Sequence, residues 1–216
     1  LAMAGDICAT METRAKFSLF FVQSCIAATS GNSYGFFADR YDNYMAHVDY
    51  DMWFNLIQNW QRVYGGGKCQ RILELACGTA AVSSRFVQSG AEVFACDLSA
   101  QMLENAAKRP LKPHLYQASL IDPIPHRDLD LIICVFDSIN YLSHPNQISK
   151  CLEQIKPALA DNGLFIFDIS TLLNSMENFS DECNLVRERD GMMVHEAFYE
   201  SGKRHQVSRL ELFQQW

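Results

Sequence analysis

Short apolar runs and longer amphipathic stretches alternate through the middle of the chain. An apolar run of about four to eight residues is typical of a buried strand, whereas apolar positions about three or four apart are typical of a helix. Apolar runs predict strands over residues 71–77, 91–97, 114–118, 129–136 and 164–169. Amphipathic stretches predict helices over residues 79–89, 100–109 and 146–160. This order predicts an α/β fold with a doubly wound, mostly parallel sheet and right-handed crossovers.

The pattern changes on both sides of this alternating region. On the amino-terminal side, an aromatic-rich segment over residues 34–46 and a longer helix that Asp49 or Asp51 can cap predict a helical cover. After residue 170, period-two alternation predicts an antiparallel insertion that follows the fifth strand. Its strands are expected over residues 184–189, 192–200 and 205–213, with turns at Asp190-Gly191 and Ser201-Gly202. His195, on the second of these strands, is expected at the surface.

Composition limits the class of protein. The 216 residues suffice for one sizeable domain, and 49% hydrophobic with 20% charged residues is typical of a globular protein. The formal charge of −7 argues against a nucleic-acid partner. No run approaches the roughly 18 apolar residues of a membrane span, so no membrane partner is expected. Eight scattered cysteines without a C-x-x-C pair favour buried thiols in a reducing compartment over a disulfide framework or a zinc site.

The first 33 residues form a leader that is the hardest part of the chain to interpret. Arg14 and Lys16 precede an apolar stretch that weakly resembles a secretory signal. A non-native or loosely ordered leader, or an N-terminal helix, would also explain this stretch, and Met11 is an alternative start. The free cysteines and the cofactor pattern described next favour the cytoplasm.

A turn of small residues links the first predicted strand to the first predicted helix. Gly78 in this turn lets the backbone come close to a ligand, and the helix start that follows offers unpaired N–H groups to a negative group. The second strand ends on Asp97, where a carboxylate can accept hydrogen bonds from ribose hydroxyls. A dinucleotide site usually has about three glycines here, so the one glycine between Glu74 and Ala80 favours another ribose-bearing cofactor.

Five segments in order resemble one family. Glu74-Leu75-Ala76-Cys77-Gly78-Thr79-Ala80 resembles the first motif of class I S-adenosylmethionine-dependent methyltransferases, written D/E-x-x-x-G-x-G, with Ala80 at the second glycine position. Residues 37–53, 97–103, 134–142 and 155–168 are similar to further segments of a small single-domain bacterial branch of that family. The resemblance implies a Rossmann-like cofactor-binding domain over residues 34–170, after a leader over residues 1–33. Residues 171–216 would then be an antiparallel meander that covers the substrate side.

The resemblance also implies a set of residues around S-adenosyl-L-methionine and its product S-adenosyl-L-homocysteine. Asp97 would bind the ribose, and Leu98 and Met102 would flank the adenine with Leu120, although both could instead be simple core residues. Ser119 stands where many relatives have an acid, and Asp122 is an alternative acceptor. Aromatic rings stabilise cations, so aromatic residues of the cover would face the sulfonium. The full set is Tyr41, Trp53, Ala76, Cys77, Gly78, Asp97, Leu98, Met102, Ser119, Leu120 and Phe136.

Candidate catalytic residues follow the fourth predicted strand. Methyl transfer is an in-line displacement, so the protein mainly aligns the acceptor and excludes water, with a base where the acceptor needs one. Asp137, Tyr141 and His144 lie where the acceptor is expected. Asp137 could instead cap a local turn, and His144 could cap the helix that follows. No ordered set of metal ligands is evident in the sequence, so no metal is expected.

The sequence therefore predicts a cytoplasmic methyltransferase, a monomer or a homodimer, that acts on an oxygen or nitrogen atom of a small molecule. A non-catalytic member with the same fold is an alternative, because Ala80 and Ser119 depart from the family pattern and the family's terminal hairpin is not evident before Trp216. A nucleotide-dependent oxidoreductase is a second alternative, against which the single-glycine turn argues.

Overall fold

The computed structural model describes residues 23–27, 37–67, 69–178, 182–188, 191–200, 202 and 205–214. Its strands are β1 (Gln23–Ala27), β2 (Arg71–Leu75), β3 (Glu92–Asp97), β4 (His114–Gln117), β5 (Leu129–Cys134), β6 (Leu159–Phe167), β7 (Glu182–Glu188), β8 (Gly191–Glu200) and β9 (His205–Gln214). Its α-helices are α1 (Ala38–Tyr44), α2 (Tyr50–Tyr64), α3 (Ala81–Gln88), α4 (Ala100–Ala106), α5 (Pro145–Ile155) and α6 (Leu172–Asn178). Short 3-10 turns lie at Met45–His47, Ser138–Tyr141 and Lys156–Ala158.

The central sheet is parallel and has the strand order β4-β3-β2-β5-β6. Leu75 of β2 pairs with Cys96 of β3, and Ile133 of β5 pairs with Ile166 of β6. The strand order reverses between β2 and β5. In sheets of this kind ligands bind beyond the carboxyl ends of the strands at that switch point. The doubly wound parallel sheet predicted from the sequence is confirmed.

Helices cover both faces of this sheet because its central strands are apolar on both sides. Every residue of β5 is buried. Ile132 belongs to one core cluster together with Ile155 of α5, and Ile133 belongs to the other together with Phe86 of α3. Burying each of these side chains stabilises the fold by about 1.5–3 kcal/mol. The carboxyl ends of β2 and β5 are therefore held by packing on two sides.

A second sheet has the strand order β1-β9-β8-β7. β7 and β9 both pair with β8 in antiparallel fashion, and β1 pairs with β9 in parallel. The antiparallel insertion predicted after the fifth strand is confirmed, while Asp190 and Ser201 of the predicted turns lie outside the described residues. His195 of β8 is 8% exposed, so the expectation of a surface histidine is wrong. Its Nδ1 lies 2.8 Å from the hydroxyl oxygen of Tyr44 on α1, which ties this sheet to the helical cover.

The elements differ from the sequence prediction at the end of the alternating region. α5 ends at Ile155 and a 3-10 turn with Pro157 follows, so β6 begins at Leu159, earlier than predicted. A side chain at Gly163 of β6 would place its Cβ 2.5 Å from the carbonyl oxygen of Leu129, so the close pairing with β5 requires glycine. Helix α6 was not predicted, because its sequence between two strands carries little helical periodicity.

The described cysteines are free thiols with contrasting exposure. Cys77, Cys96, Cys134 and Cys151 are buried, whereas Cys183 on β7 is exposed. The predicted burial of Cys96 and Cys134 within apolar runs is confirmed. Apart from β1, the leader predicted over residues 1–33 lies outside the described residues. Within the described part of the chain, no helix combines the length and the apolar character needed to cross a membrane.

Candidate functional site

Two strained loops face the switch point of the central sheet. The loop after β2, residues 76–80, is called the glycine loop here, and the second loop follows β5. Ala76, Ala80, Phe136 and Asp137 adopt positive φ angles of 51°, 61°, 61° and 57°, and Gly78 has a φ of 54°. Left-handed geometry costs a residue with a side chain about 1–2 kcal/mol. Strain of this kind clusters at functional sites, so the two loops mark a candidate site between them.

The carboxylate of Asp97, at the end of β3, holds the glycine loop in place. Its Oδ2 accepts a hydrogen bond from the Gly78 N–H at 2.8 Å, and its Oδ1 accepts from the Ser99 N–H at 2.8 Å. The Cys77 N–H donates to the Cys96 carbonyl oxygen at 2.9 Å and extends the pairing of β2 and β3 into the loop. Burial raises the pKa of Asp97, although the backbone hydrogen bonds oppose this shift. A carboxylate offers about four lone-pair sites, so Asp97 keeps acceptor capacity for a ligand hydroxyl.

Glu74, the acid of the family-like motif, lies buried beneath the glycine loop. Its Oε2 accepts a hydrogen bond at 2.9 Å from the Ser83 N–H in the first turn of α3. Ala80 precedes this helix and its side chain makes no capping hydrogen bond, so Glu74 takes the place of a capping residue. Burial raises the pKa of Glu74 to about 7. The motif acid therefore anchors the helix that begins at the site.

The cover helix α1 places Tyr41 against the glycine loop. A methyl group added at Gly78 would lie 3.8 Å from Cε1 of Tyr41, which is ordinary van der Waals contact. Burial raises the pKa of the Tyr41 hydroxyl, and the nearby Tyr50, Tyr141 and Asp97 raise it further. These neighbours come from both sides of the switch point. The predicted residues Tyr41, Tyr141 and Asp97 therefore lie close enough to interact electrostatically.

Arg109 joins α1 to the glycine loop. Its Nη2 donates to Asp42 Oδ2 of α1 at 2.7 Å and to Thr79 Oγ1 at 3.1 Å, and its Nε donates to the Thr79 carbonyl oxygen. The Thr79 hydroxyl donates in turn to the Asp42 carboxylate. We call Asp42, Thr79 and Arg109 the arginine cluster. This cluster was not predicted, because its residues lie far apart in the chain and belong to no common motif.

Aromatic rings surround the loop after β5. The ring centroid of Phe136 lies 5.1 Å from that of Trp53 and 5.7 Å from that of Tyr50. The guanidinium carbon of Arg85 lies 5.3 Å from the centroid of the Tyr50 ring. Trp53 and Phe136 are both half-buried, so Trp53 packs on the site loop and still leaves part of its ring accessible. Packing on this loop therefore does not exclude the ligand contact predicted for Trp53.

Two carboxyl groups meet where β5 and β6 end. The Asp137 N–H donates to Oδ2 of Asp168 at 3.0 Å. Burial, together with the charge of Asp168, raises the pKa of Asp137 to about 7. Burial also raises the pKa of Asp168. We call Asp137 and Asp168 the acid pair. Two adjacent carboxylates repel each other, so the pair shares one proton at pH values below about 7.

Asp168 is a site residue that the sequence analysis did not single out. It directly follows β6, and Phe167 at the end of β6 pairs with Cys134 at the end of β5. Side chains beyond the carboxyl ends of neighbouring parallel strands meet at one edge of the sheet. That rule identified Asp137 after the fourth predicted strand. Applied to the fifth predicted strand, which is β6 in the structure, it would also have identified Asp168.

The remaining predicted cofactor residues differ in exposure. Leu98 is 68% exposed beside Asp97, whereas Met102 is 2% exposed and belongs to the interior. This contrast favours the packing interpretation for Met102. Ser119 and Asp122 form a turn after β4, in which Asp122 accepts the Ser119 N–H at 2.8 Å. Leu120 is partly buried against the core.

Tyr141 and His144 lie in the segment between β5 and α5. Tyr141 is 40% exposed at the end of a 3-10 turn. His144 is exposed and precedes α5, and its N–H donates to the side chain of Gln147 at 3.1 Å. This position agrees with the helix-start interpretation of His144. Among the described residues, no group of three or more histidine, cysteine, aspartate or glutamate side chains could hold a metal ion.

Comparison with known proteins finds one matching family model and two similar curated proteins. The family model described as "Methyltransferase domain" matches residues 72–163. The chain is similar to "Putative methyltransferase YqeM" of Bacillus subtilis (strain 168), with 29% identity over 181 residues that cover 82% of this chain and 71% of the relative. A relative of the same description from Geobacillus sp. (strain WCH70) is 28% identical over 153 residues, which cover 69% of this chain and 62% of the relative.

A solved structure supports the same family. The crystal structure of an S-adenosylmethionine-dependent methyltransferase from Clostridium acetobutylicum ATCC 824 matches with a TM-score of 0.65 and 28% identity. The match covers 79% of this chain and 71% of that chain. The segment that the family model matches runs from β2 into β6. It therefore contains the glycine loop, Asp97 and Asp137.

Proposed function

We propose that this chain, which belongs to the class I S-adenosylmethionine-dependent methyltransferases, transfers a methyl group from S-adenosylmethionine to an oxygen or nitrogen atom of a small molecule. One observation carries the proposal: the strained glycine loop, the carboxylate of Asp97 and the ring of Tyr41 meet at the switch point of the sheet. This is the position at which α/β sheets of this kind bind ligands.

The residues of the crevice fit an adenosine-bearing cation. Asp97 is held by two backbone N–H groups and keeps lone pairs that suit ribose hydroxyls. Tyr41 presents a half-buried aromatic ring beside the loop, and an aromatic face stabilises a cation by about 0.5–2 kcal/mol. Gly78 has a left-handed backbone, which suits glycine, and it leaves its surface open to a ligand. Leu98, exposed beside Asp97, suits the edge of an adenine ring.

The acid pair supplies the acceptor chemistry. S-adenosylmethionine carries a methyl group that its sulfonium activates for displacement, so the protein has to align the acceptor and remove a proton. When both carboxyl groups are ionised, Asp137 accepts the proton from the acceptor oxygen or nitrogen and shares it with Asp168. Tyr41 and the half-buried rings of Trp53 and Phe136 exclude water from the approach. Tyr141 borders the same space and orients the acceptor through its hydroxyl.

The acceptor is a small molecule in this proposal. α1 lies over the glycine loop, and the second sheet is tied to α1 through Tyr44 and His195. The formal charge of −7 disfavours a polyanion as partner. We place the enzyme in the cytoplasm, because the cysteines of the central sheet lie buried as free thiols. We propose that it acts as a monomer or a homodimer.

Calorimetry with S-adenosylhomocysteine tests the cofactor assignment. We expect binding by the wild-type protein and none by Gly78→Arg, since a long side chain would enter the space beside Tyr41. Asp97→Ala should weaken binding because it removes the ribose acceptor and the anchor of the loop. Gly202→Arg is the matched control, because Gly202 lies in an exposed turn with open space around its Cα. A folded wild-type protein that gives no heat of binding would contradict the proposal.

Turnover tests the acceptor chemistry separately. Wild-type protein with S-adenosylmethionine and a panel of small amines, alcohols and carboxylic acids should produce S-adenosylhomocysteine and an acceptor heavier by one methylene unit, detected by mass spectrometry. Asp137→Asn should lower the rate by roughly a hundredfold or more, the usual contribution of a positioned base. Binding of the cofactor without turnover across the panel would favour the non-catalytic alternative.

A further inference from the structure

The arginine cluster forms a direct link between the cover helix and the glycine loop. Arg109 donates to the Asp42 carboxylate of α1 at 2.7 Å and to both the hydroxyl and the carbonyl oxygen of Thr79. Thr79 follows Gly78, and a methyl group added at Gly78 would lie 3.8 Å from the Tyr41 ring. Asp42 follows Tyr41 in the chain. Tyr41 and Gly78, which lie near each other, are thus each adjacent to a residue that Arg109 holds.

The geometry of the cluster makes it stronger than an ordinary surface ion pair. Exposed ion pairs contribute little because solvent screens them and because both side chains lose freedom. The Arg109 side chain is 26% exposed and that of Asp42 54%, but Arg109 donates through two of its nitrogens and reaches Thr79 as well as Asp42. The planar guanidinium fixes both directions at once, and charged hydrogen bonds are about twice as strong as neutral ones.

Two further contacts of α1 reach α4 and the residues after it. Asn105 donates to the carboxylate of Asp39 at 3.1 Å, and the Lys108 nitrogen lies 3.9 Å from the same oxygen. These contacts join α1 to the end of α4 and the residues just after it. Asp39 is 72% exposed at its side chain, so solvent weakens the attraction to Lys108. Lys108 is therefore a neighbour of Arg109 that contacts the same helix without contacting the loop.

We propose that Arg109 is a positioning residue that holds α1 on the glycine loop through Asp42 and Thr79, and that this contact limits the release of bound S-adenosylmethionine and of its product. The proposal rests on the proposed function for its ligand. Loss of the cluster lets α1 and Tyr41 move away from Gly78 and opens a path from the crevice to solvent. Arg109 touches neither the acid pair nor Asp97 in the structure, so its effect falls on ligand exchange and cover mobility.

Two measurements on the full-length protein test this inference. Hydrogen exchange of residues 38–47 without ligand should be about tenfold faster in Arg109→Gln, because the charged hydrogen bonds that anchor α1 are lost. The dissociation rate of S-adenosylhomocysteine, followed by stopped-flow displacement, should rise by a similar factor of about ten. Arg109→Lys should recover only part of both effects, since lysine cannot donate in two fixed directions.

Matched variants separate positioning from general stability. Lys108→Gln should leave both rates unchanged. Asp42→Asn keeps the size of a half-exposed side chain and should reproduce the effect of Arg109→Gln. It replaces Arg109→Gln in both measurements if that variant does not fold. In the double variant the two effects should not add, because both remove the same contact. Faster exchange of α1 with an unchanged dissociation rate would overturn the proposal, as would no change in either measurement.

The same experiments distinguish this inference from the proposed function. If the wild-type protein binds no S-adenosylhomocysteine, the proposed function fails and the part of this inference about ligand release fails with it. The exchange rates of residues 38–47 in the wild type and in Arg109→Gln still decide whether Arg109 holds α1. The other outcome is that the wild type binds S-adenosylhomocysteine while the arginine cluster variants show the same exchange and dissociation rates as Lys108→Gln. In that case the proposed function stands and this inference falls.

Discussion

The acid pair shows how two neighbouring residues shape each other's chemistry. Burial and the charge of Asp168 raise the pKa of Asp137 from the ordinary value of an aspartate to about 7. The pair therefore holds a proton below about pH 7 and gains its second negative charge as the pH rises. If the doubly ionised pair is the base, methyl transfer increases with pH through this range.

Removing one member of the pair should move this titration. In Asp168→Asn the like charge is absent, so the pKa of Asp137 should fall toward its ordinary value and the rise in activity should shift to lower pH. Carbon NMR of labelled aspartate carboxyl groups measures the titration without knowledge of the acceptor. Asp161→Asn, in an exposed part of β6, is the control and should leave the Asp137 titration where it is. An unmoved titration in Asp168→Asn would show that burial alone sets the pKa.

At the scale of single residues, the sequence predicted those candidate site residues that lie at or just after the end of a strand. Gly78, Asp97 and Asp137 all stand at strand ends, where a one-dimensional pattern locates them relative to the switch point. Arg109 could not be found in this way, because its partners come from a helix and a loop that only the folded chain brings together. The departure of Ala80 from glycine is also explained by the structure. Alanine adopts the left-handed backbone there with a φ of 61°, at a modest cost in free energy.

Among the elements, α3 depends on a carboxyl group from a neighbouring strand. Burial raises the pKa of Glu74 from 4.5 to about 7, so the native state binds its proton more tightly than the unfolded chain does. The resulting stability is fully present below the unfolded pKa and is lost as the pH rises through about 7. At about 1.4 kcal/mol per pKa unit, the loss amounts to about 3 kcal/mol.

Glu74→Gln should remove this pH dependence and keep an acceptor oxygen for the Ser83 N–H. Between about pH 5 and about pH 8, the free energy of unfolding should fall more steeply in the wild type than in Glu74→Gln, as measured by urea denaturation at each pH. Glu92→Gln is the control, because Glu92 is exposed in its ion pair with Arg71. Parallel pH curves for the wild type and Glu74→Gln would contradict this account of the buried motif acid.

The link between α1 and β8 offers a second test among the elements. Tyr44→Phe removes the hydroxyl that lies 2.8 Å from Nδ1 of the buried His195. Loss of one buried hydrogen bond should lower the free energy of unfolding by about 1–2 kcal/mol. Tyr64→Phe, at the exposed end of α2, is the control and should change it by less than about 0.5 kcal/mol. Equal stability of Tyr44→Phe and the wild type would mean that this bond does not secure the cover.

Element types were easier to predict than element limits. Alternating apolar positions identified the meander of β7, β8 and β9, because period-two patterns are specific to half-buried strands. The start of β6 was missed, since the strand includes Asp161, Asn162 and Gly163, which lack strand character. They lie in an irregularity of the register, between the pair Leu129–Leu159 and the pair Leu131–Leu164.

At the scale of the whole molecule, a ligand that binds only the native state should raise the melting temperature. With S-adenosylhomocysteine at about a hundred times its dissociation constant, linkage gives about 2.7 kcal/mol, or about 5–10 °C for a chain of this size. NADH at the same concentration should give no shift, because the glycine loop lacks the further glycines of a pyrophosphate site. Thermal scans with each nucleotide make this comparison. A larger shift with NADH would reverse the choice between the two nucleotides.

Buried and exposed cysteines differ in their reactivity, which allows selective chemical labelling. Burial raises the pKa of Cys96 to about 12 and that of Cys151 to about 11, so at neutral pH both stay protonated and out of reach of electrophiles. Cys183 is exposed on β7, next to the strand that Tyr44 touches. A maleimide dye on native protein should therefore prefer Cys183 to the buried Cys96 and Cys151. The fluorescence of the attached dye would then report movements of the meander during binding and release of substrates.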